Sequence, residues 1–427
     1  AIAAALGGLT LRNPAPNRRL AAARAVMKSR DAGLAPVLEA ALAEETDSAA
    51  RDAMALALAA IRLTSDADAA RRIEATKTLA TAGDPEVRSL LLSRVSEDKD
   101  GGFAESDPTV RAAVDQALKR IESRLEFWVI IGNLFQGLSL GSVLLLAAIG
   151  LAITFGVMGV INMAHGEMVM LGAYTTFAVQ EVFRAYFPAA FDWSLLVAIP
   201  AAFLVAGLVG IAIERGIIRF LYGRPLETLL ATWGLSLVLQ QLVRTVFGPT
   251  NRDVGSPSWM TGGIELDGGV ILTYNRIAII VFSLLVLGTL IVILRKTSFG
   301  LRMRAVTQNR RMAASMGIRT GSIDALTFGL GSGIAGMAGV ALSQIDNVSP
   351  NLGQSYIIDS FMVVVFGGVG NLWGTLVGAM SIGLFNKFLE PSVGAVMAKI
   401  LILVLVILFI QKRPRGLFAL KGRAVDA

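Results

Sequence analysis

An imidazole and a carboxylate stand two residues apart in the stretch GVINMAHGEMVML, as His165 and Glu167. The runs around them, Phe127 to Gly166 and Met168 to Gln180, hold no Asp, Glu, Lys or Arg. His165 is the only histidine and the chain has no cysteine, so a metal site of the zinc type lacks ligands. A second polar group lies further on: Thr232, Ser236 and Gln240 recur at helical spacing, with Trp233 and Gln241 beside them. Nothing here pairs a nucleophile with a base, or one acid with another, so no enzyme is expected. Hydroxyls, amides and one carboxylate in apolar surroundings can bind a small polar solute by hydrogen bonds. A structural reading stands beside that one. In it Asn162 or His165 caps a helix, Glu167 meets the exposed amides of its first turn, and the stripe only joins helices.

The elements that must carry these residues are membrane helices. Crossing ~30 Å of hydrocarbon takes about 20 apolar residues, and uncharged runs of that kind lie within 134–158 and after Glu167 to about Gln180. Other apolar runs follow at Trp193–Ile213, at Leu226–Phe247 with Thr228–Val243 uncharged, at Ile277–Leu294, Ala325–Ile345 and Ser360–Asn386, and at Val393–Gln411. The Arg295–Ser322 loop carries seven basic residues and no acid, and the tail has Lys412, Arg413, Arg415, Lys421 and Arg423 against Asp426. Both segments should be cytoplasmic. Counting crossings from them puts the N-terminal residues outside, and requires Ser360–Asn386 to go in and come back. This segment, VFGGVGNLWGTLVGAM, contains Gly367, Gly368, Gly370 and Gly374, and Asn371 stands where the helix should resume. FGVMGVINMAHG has the same form, with Asn162 before the resuming helix. Glycine-interrupted runs in two halves point to a transport site, because freed amides and half-helix ends can coordinate a solute; close helix packing is the other use of such glycines. His165 and Glu167 are then expected at the cytoplasmic turn between the first two spans. Lys399 interrupts the last run, and it either pairs with Asp359 or snorkels to the headgroups.

Charge divides the 427 residues into two bodies at about Glu126. Residues 1–126 hold 18 Lys+Arg and 19 Asp+Glu; residues 127–427 hold the other 21 basic and 13 acidic side chains and every long apolar run. The high isoelectric point of about 9.8 therefore belongs to loops beside membrane spans and implies no nucleic acid. The expected fold is all-α: a polytopic helical membrane domain behind a soluble, extracytoplasmic N-terminal helical domain. RRLAAARAVM, RDAMALALAAI, RRIEATKTLA and VRAAVDQALKRI have helical periodicity. Breakers at Ser29–Gly33, Thr46–Ser48, Gly83–Pro85 and Asp107–Pro108 separate them. One Arg-led pattern in several short helices suggests a HEAT-like solenoid, and an irregular bundle is the alternative. AIAAALGG at the start lacks the basic region of a signal peptide.

INMAHGE, GLRMRAVTQNRRMAASMGI, VVVFGGVGNLWGTLVGAM and KRPRGLF, in that order over about 130–420, resemble the permeases of branched-chain amino acid-type ABC importers. The helical N-terminal domain and LETLLATWGLSLVLQQLVRTVFGP are similar to the urea-transporting members of that family. The resemblance implies a multi-pass protein of the bacterial inner membrane that works with a second permease subunit, two cytoplasmic ATPase subunits and a periplasmic binding protein. Without a Gly-Lys dipeptide the chain has no usual P-loop. It then needs no cofactor of its own, and ATP binds to the ATPase partners. Gly300, Arg302, Arg304, Gln308, Asn309, Met312 and Gly317 would form the ATPase-coupling loop, with a stripe of Leu301, Met303, Val306, Met312 and Met316. Relatives usually carry an acidic pair where Gln308 and Asn309 stand, and a basic helix lying on anionic headgroups is the competing use. Urea or a similar small amide is the expected cargo. Branched-chain amino acids, or passive passage of a neutral solute, are the alternatives.

Overall fold

The computed structural model describes residues 10–96 and 103–418; Lys421, Arg423 and Asp426 of the basic tail lie outside them. Clustering gives two compact units, one holding the chain to Gly132 with Glu265–Ile271, the other Asn133–Ile264 and the chain from Leu272 on.

The first unit contains α1 (Pro16–Ser29), α2 (Ala35–Glu44), α3 (Ser48–Ser65), α4 (Ala69–Leu79) and α5 (Pro85–Val95). It also contains the start of α6 (Pro108–Met158), which runs through Glu126 without a break. Aspartates set the helix starts: Asp47, Asp68 and Asp84 accept the amides of Ala50, Ala70 and Glu86. The apolar faces, with Val26, Met54, Leu58, Leu79, Leu91, Val114 and Ile121 buried, form one core.

One constellation occurs twice in this unit. Arg19, in the first turn of α1, donates to the carbonyls of Asn13 and Pro14 and forks onto Glu45 at 2.7 Å through two nitrogens. Arg72, in the first turn of α4, donates to the carbonyls of Asp66 and Ala67 and bonds Glu105 at 3.1 Å. Each glutamate accepts the amide of an aspartate two residues on (Asp47, Asp107), and that aspartate accepts an amide at the next helix start. A planar guanidinium suits this use, since it can tie loop carbonyls to a carboxylate in one geometry.

The second unit continues with α7 (His165–Tyr186), α8 (Ser194–Gly216), α9 (Pro225–Phe247) and α10 (Tyr274–Lys296). Two short helices, α11 (Ser298–Gln308) and α12 (Arg310–Ser315), precede α13 (Thr320–Leu342), α14 (Leu352–Gly367), α15 (Leu372–Val393) and α16 (Ala395–Lys412). Seven of the helices are long and apolar enough to cross a membrane. Among the rest, α14 is short and apolar, and α7 carries too many polar residues to qualify on composition. The only strands among the described residues, β1 (Gly263–Glu265) and β2 (Ile271–Thr273), pair with each other.

The uncharged run Ser360–Asn386 spans two helices, α14 and α15, with a break at Gly368–Asn371. Gly368 has φ +106°, a conformation that glycine reaches without a steric penalty. The break lies beside the chain's last described residues, where the amides of Leu417 and Phe418 donate to the carbonyls of Phe366 and Gly367. Gly156, near the end of α6, comes against Gly370, so the two glycine breaks meet. Val157 packs with Met303, Val306 and Leu294 beside the α11–α12 loop. The basic loop, both breaks and the basic tail thus share one end of the bundle.

At the centre α13 packs mainly on α8 and α7. A Cβ on Gly336 would lie 2.6 Å from the Ala202 oxygen and 2.7 Å from the Ala206 Cβ. Backbone-to-backbone approach of this kind holds membrane helices together by packing rather than by the hydrophobic effect.

Candidate functional site

Helix α6 ends at Met158, Gly159 turns the chain at φ +68°, and α7 starts at His165. The intervening residues run back along α6, so that His165 Nε2 lies 2.9 Å from the Ala147 oxygen. Ala147 stands 11 residues before Met158, or about 16 Å at 1.5 Å per residue. The site is therefore about three turns before the end of α6, where a turn at its end was expected. An extended segment of six residues can retrace that distance at about 3.3 Å each, and an uncharged sequence run does not reveal which way it goes.

His165 is fully buried. The Ala147 carbonyl can only accept, so Nε2 carries the ring proton and Nδ1 is left without a partner. Glu167 faces away from His165, toward α9, as two residues of offset on a helix require. Its Oε1 accepts from Ser236 Oγ and Gln240 Nε2, both at 2.8 Å, and Gln240 Nε2 also lies 3.3 Å from Ser236 Oγ. Its Oε2 is buried and accepts from nothing. One turn below, Thr232 Oγ1 accepts the Met163 amide at 3.1 Å. Asn162 accepts the Ala164 amide at 3.0 Å, and its Nδ2 is buried without an acceptor.

The stripe Thr232, Ser236 and Gln240 thus closes with Asn162–Met163 and Glu167 into one buried seam between α7 and α9. The capping reading changes accordingly. Ala164 is the N-cap of α7 and makes no side-chain cap bond, Asn162 accepts the Ala164 amide just before the helix, and Glu167 ties two helices. Trp233 is 52% exposed and Gln241 is exposed too; both point off the seam. Asn371 lies elsewhere, at the basic end. It caps α15 by accepting the Trp373 and Gly374 amides at 3.0 and 3.2 Å, and it donates to the Phe418 carbonyl at 3.4 Å.

Sequence reasoning missed Tyr174 and Gln180 further along this seam. The Tyr174 ring lies 4.8 Å from that of Phe247 and its buried hydroxyl has no partner. Gln180 exchanges two hydrogen bonds with the Gly255 backbone, at 2.8 and 2.9 Å. Tyr174 stands seven residues after Glu167, on the same helix face, and that spacing is readable in the sequence.

The basic loop has its own geometry. Its expected apolar stripe splits. Met303 and Val306 turn inward with Ala313 and Ile323, while Leu301, Met312 and Met316 are 62%, 61% and 77% exposed. The reason is the bend between α11 and α12 at Asn309, whose side chain caps α12 through the Met312 amide at 3.0 Å. Arg304 folds back to the Leu294 carbonyl at the end of α10, leaving Arg302 exposed with Gln308. Gly300 lets α11 fold tightly onto Leu294, and Gly317 ends α12 at φ +83°.

Residues 133–410 match the family described as branched-chain amino acid transport system / permease component. The high-affinity branched-chain amino acid transport permease LivH of Salmonella typhimurium is 32% identical over 302 residues, covering 68% of this chain and 96% of that protein. Its counterpart BraD of Pseudomonas aeruginosa is 30% identical over 298 residues, with the same shares. The probable LivH of Methanocaldococcus jannaschii is 26% identical over 296 residues, 65% of this chain and 88% of that protein. No solved structure matches. The matched residues hold the glycine breaks, the α7–α9 seam and the basic loop, and they leave out most of the first unit. The relatives are transport components and not enzymes. On the extent of that match, the chain belongs to the permease-component family of branched-chain amino acid transport systems.

Proposed function

We propose that the chain is a membrane permease subunit of an ATP-driven importer in the bacterial inner membrane, carrying a small N–H-rich solute, with urea first. The observation that carries this reading is the buried, half-satisfied carboxylate of Glu167. One oxygen is held by Ser236 and Gln240, and the other is buried without a donor, a partner that a solute N–H would supply. Among the described residues no Lys or Arg is bonded to Glu167. A neutral amide can use such a site without bringing a charge that needs a partner.

The exposed Leu301, Arg302, Met312 and Met316 support a docking face for ATPase subunits. The excess of Lys and Arg in that loop and in Lys412–Arg415 supports a cytoplasmic docking face, and the crossing count supports a periplasmic N-terminal domain. The doubled Arg–Glu constellation supports a HEAT-like scaffold there, facing a periplasmic binding protein. A second permease subunit would complete the path.

A second reading, branched-chain amino acid import, is favoured by the names of the relatives. The test is uptake of labelled urea and labelled leucine by cells carrying the complete transport system, with wild type and Glu167→Gln compared. We expect urea uptake that falls at least tenfold in the variant at equal membrane abundance. Uptake of leucine alone would assign the second reading. Unchanged urea uptake in the variant would remove Glu167 from the path.

A further inference from the structure

At the basic end, two buried carboxylates are linked through one tyrosine and one guanidinium. Glu214, near the end of α8, and Asp324, near the start of α13, have side chains 1% and 2% exposed. Arg310, the first residue of α12, donates to Asp324 and stacks over the Tyr222 ring at 4.7 Å from its centroid. Tyr222 in turn donates its hydroxyl to Glu214 at 2.8 Å. The other Glu214 oxygen accepts no hydrogen bond, and Arg215 Nε lies 3.7 Å from it. Lipid contact does not explain this cluster, because Glu214 and Asp324 are enclosed by protein. Nor does the exposed face of the loop use it.

The position of the cluster gives it a role. Arg310 belongs to the loop proposed to dock the ATPases, whereas Asp324 and Tyr222 belong to the elements that open α13 and follow α8. Helices α8 and α13 touch along small residues, Gly207 near Gly329 and Gly336 near Ala202, and α13 also packs on α7, which carries Glu167. Tightly packed backbones move as a body and not by bending. A displacement of α12 therefore reaches the α7–α9 seam through what ties α12 to α8 and α13. Ala313 packs with Ile323, and Arg310 is the polar tie among the described residues.

We propose that Arg310 is a positioning residue for transport, a latch that ties the docking loop to the α7–α8–α13 block through Asp324 and Tyr222. An arginine suits the task better than a lysine, because its fork and flat face engage a carboxylate and a ring together. Removing it would leave the buried Asp324 without its cation, so the informative variants spare one of the charges.

This inference rests on the importer reading, and the experiment separates the two. The whole importer is purified with its ATPases and reconstituted in vesicles, and labelled urea or leucine transported per ATP hydrolysed is measured. For Asp324→Asn we expect ATPases retained at wild-type stoichiometry, basal hydrolysis within about twofold, and transport per ATP at least tenfold lower. Arg310→Lys should fall between. The exchange Arg310→Asp with Asp324→Arg should recover transport per ATP to within about threefold of wild type. Wild-type transport per ATP in Asp324→Asn would overturn the latch, as would loss of the ATPases from that variant, which would make the cluster part of the docking surface. Failure of the wild-type chain to retain any ATPase would instead refute the importer reading, and the latch with it.

Discussion

At the scale of single residues, the buried carboxylates of Glu167 on α7 and Asp359 on α14 each meet a side chain of another helix. Asp359 on α14 and Lys399 on α16 meet at 3.2 Å, with side chains 11% and 49% exposed. The sequence left pairing and snorkelling both open, and the structure shows the pair. Half of the Lys399 side chain lies on the outer surface of the protein, so the tie is only partly enclosed by other helices. We expect Asp359→Asn and Lys399→Met each to destabilise the protein by about 1–2 kcal/mol, with the double change recovering part of the loss. Thermal unfolding of the four proteins in detergent checks this; additive losses would mean that the two side chains do not support each other. Glu167 was legible as an anomaly, a carboxylate between uncharged runs. Its partners were legible as a stripe on another helix. What joined them was the retrograde path of residues 159–164, which sets a side chain's depth and leaves no trace in composition.

At the scale of elements, glycine decides where helices approach. Gly336 on α13 faces backbone and Cβ atoms of α8 too closely for any side chain. Gly336→Val should cost about 1–3 kcal/mol or more, since the neighbours are main chain and cannot swing aside. A drop in the folded, detergent-soluble fraction checks it, and Gly234→Val, at a glycine on α9 with open space around it, is the control expected to change little. The break between α14 and α15 could be inferred from the sequence, because counting crossings between two basic segments demands a return. The depth of the N-terminal end of α7 could not. Glu167 does stand in its first turn, where a carboxylate is favoured, but its hydrogen bonds come from Ser236 and Gln240 across the seam.

At the scale of the whole molecule, the chain divides into two bodies of different composition, and every long apolar run lies in the second. In the first unit, the Arg19 hydrogen bonds hold the Glu45 carboxyl down to about 2, against a burial that pushes the other way. An unfolded glutamate titrates near 4.3, so the carboxylate stabilises the fold at any pH above that. The contribution is lost as the pH falls from about 5 toward about 2. Glu45→Gln should lower stability at neutral pH and flatten its decline between those limits; thermal scans of the full chain across that range, wild type beside variant, measure the difference. The sequence showed both bodies because lipid and water demand opposite compositions. It showed the Arg-led pattern of the first unit without its partners, since Glu45 and Glu105 lie 26 and 33 residues from their arginines, beyond any local periodicity.

The contact between the chain's last described residues and the α14–α15 break also bears on timing. Leu417 and Phe418 give their amides to Phe366 and Gly367, and Phe418 takes a hydrogen bond from Asn371. During synthesis some fifty residues separate the emergence of the break from that of its donors. Until they arrive, α14 and α15 must be held in the bilayer by their own packing alone. Maturation of this hairpin is therefore completed only after the ribosome has passed the final span, and a nascent chain arrested before Leu417 would present the break open to whatever insertion factor or protease stands at the membrane.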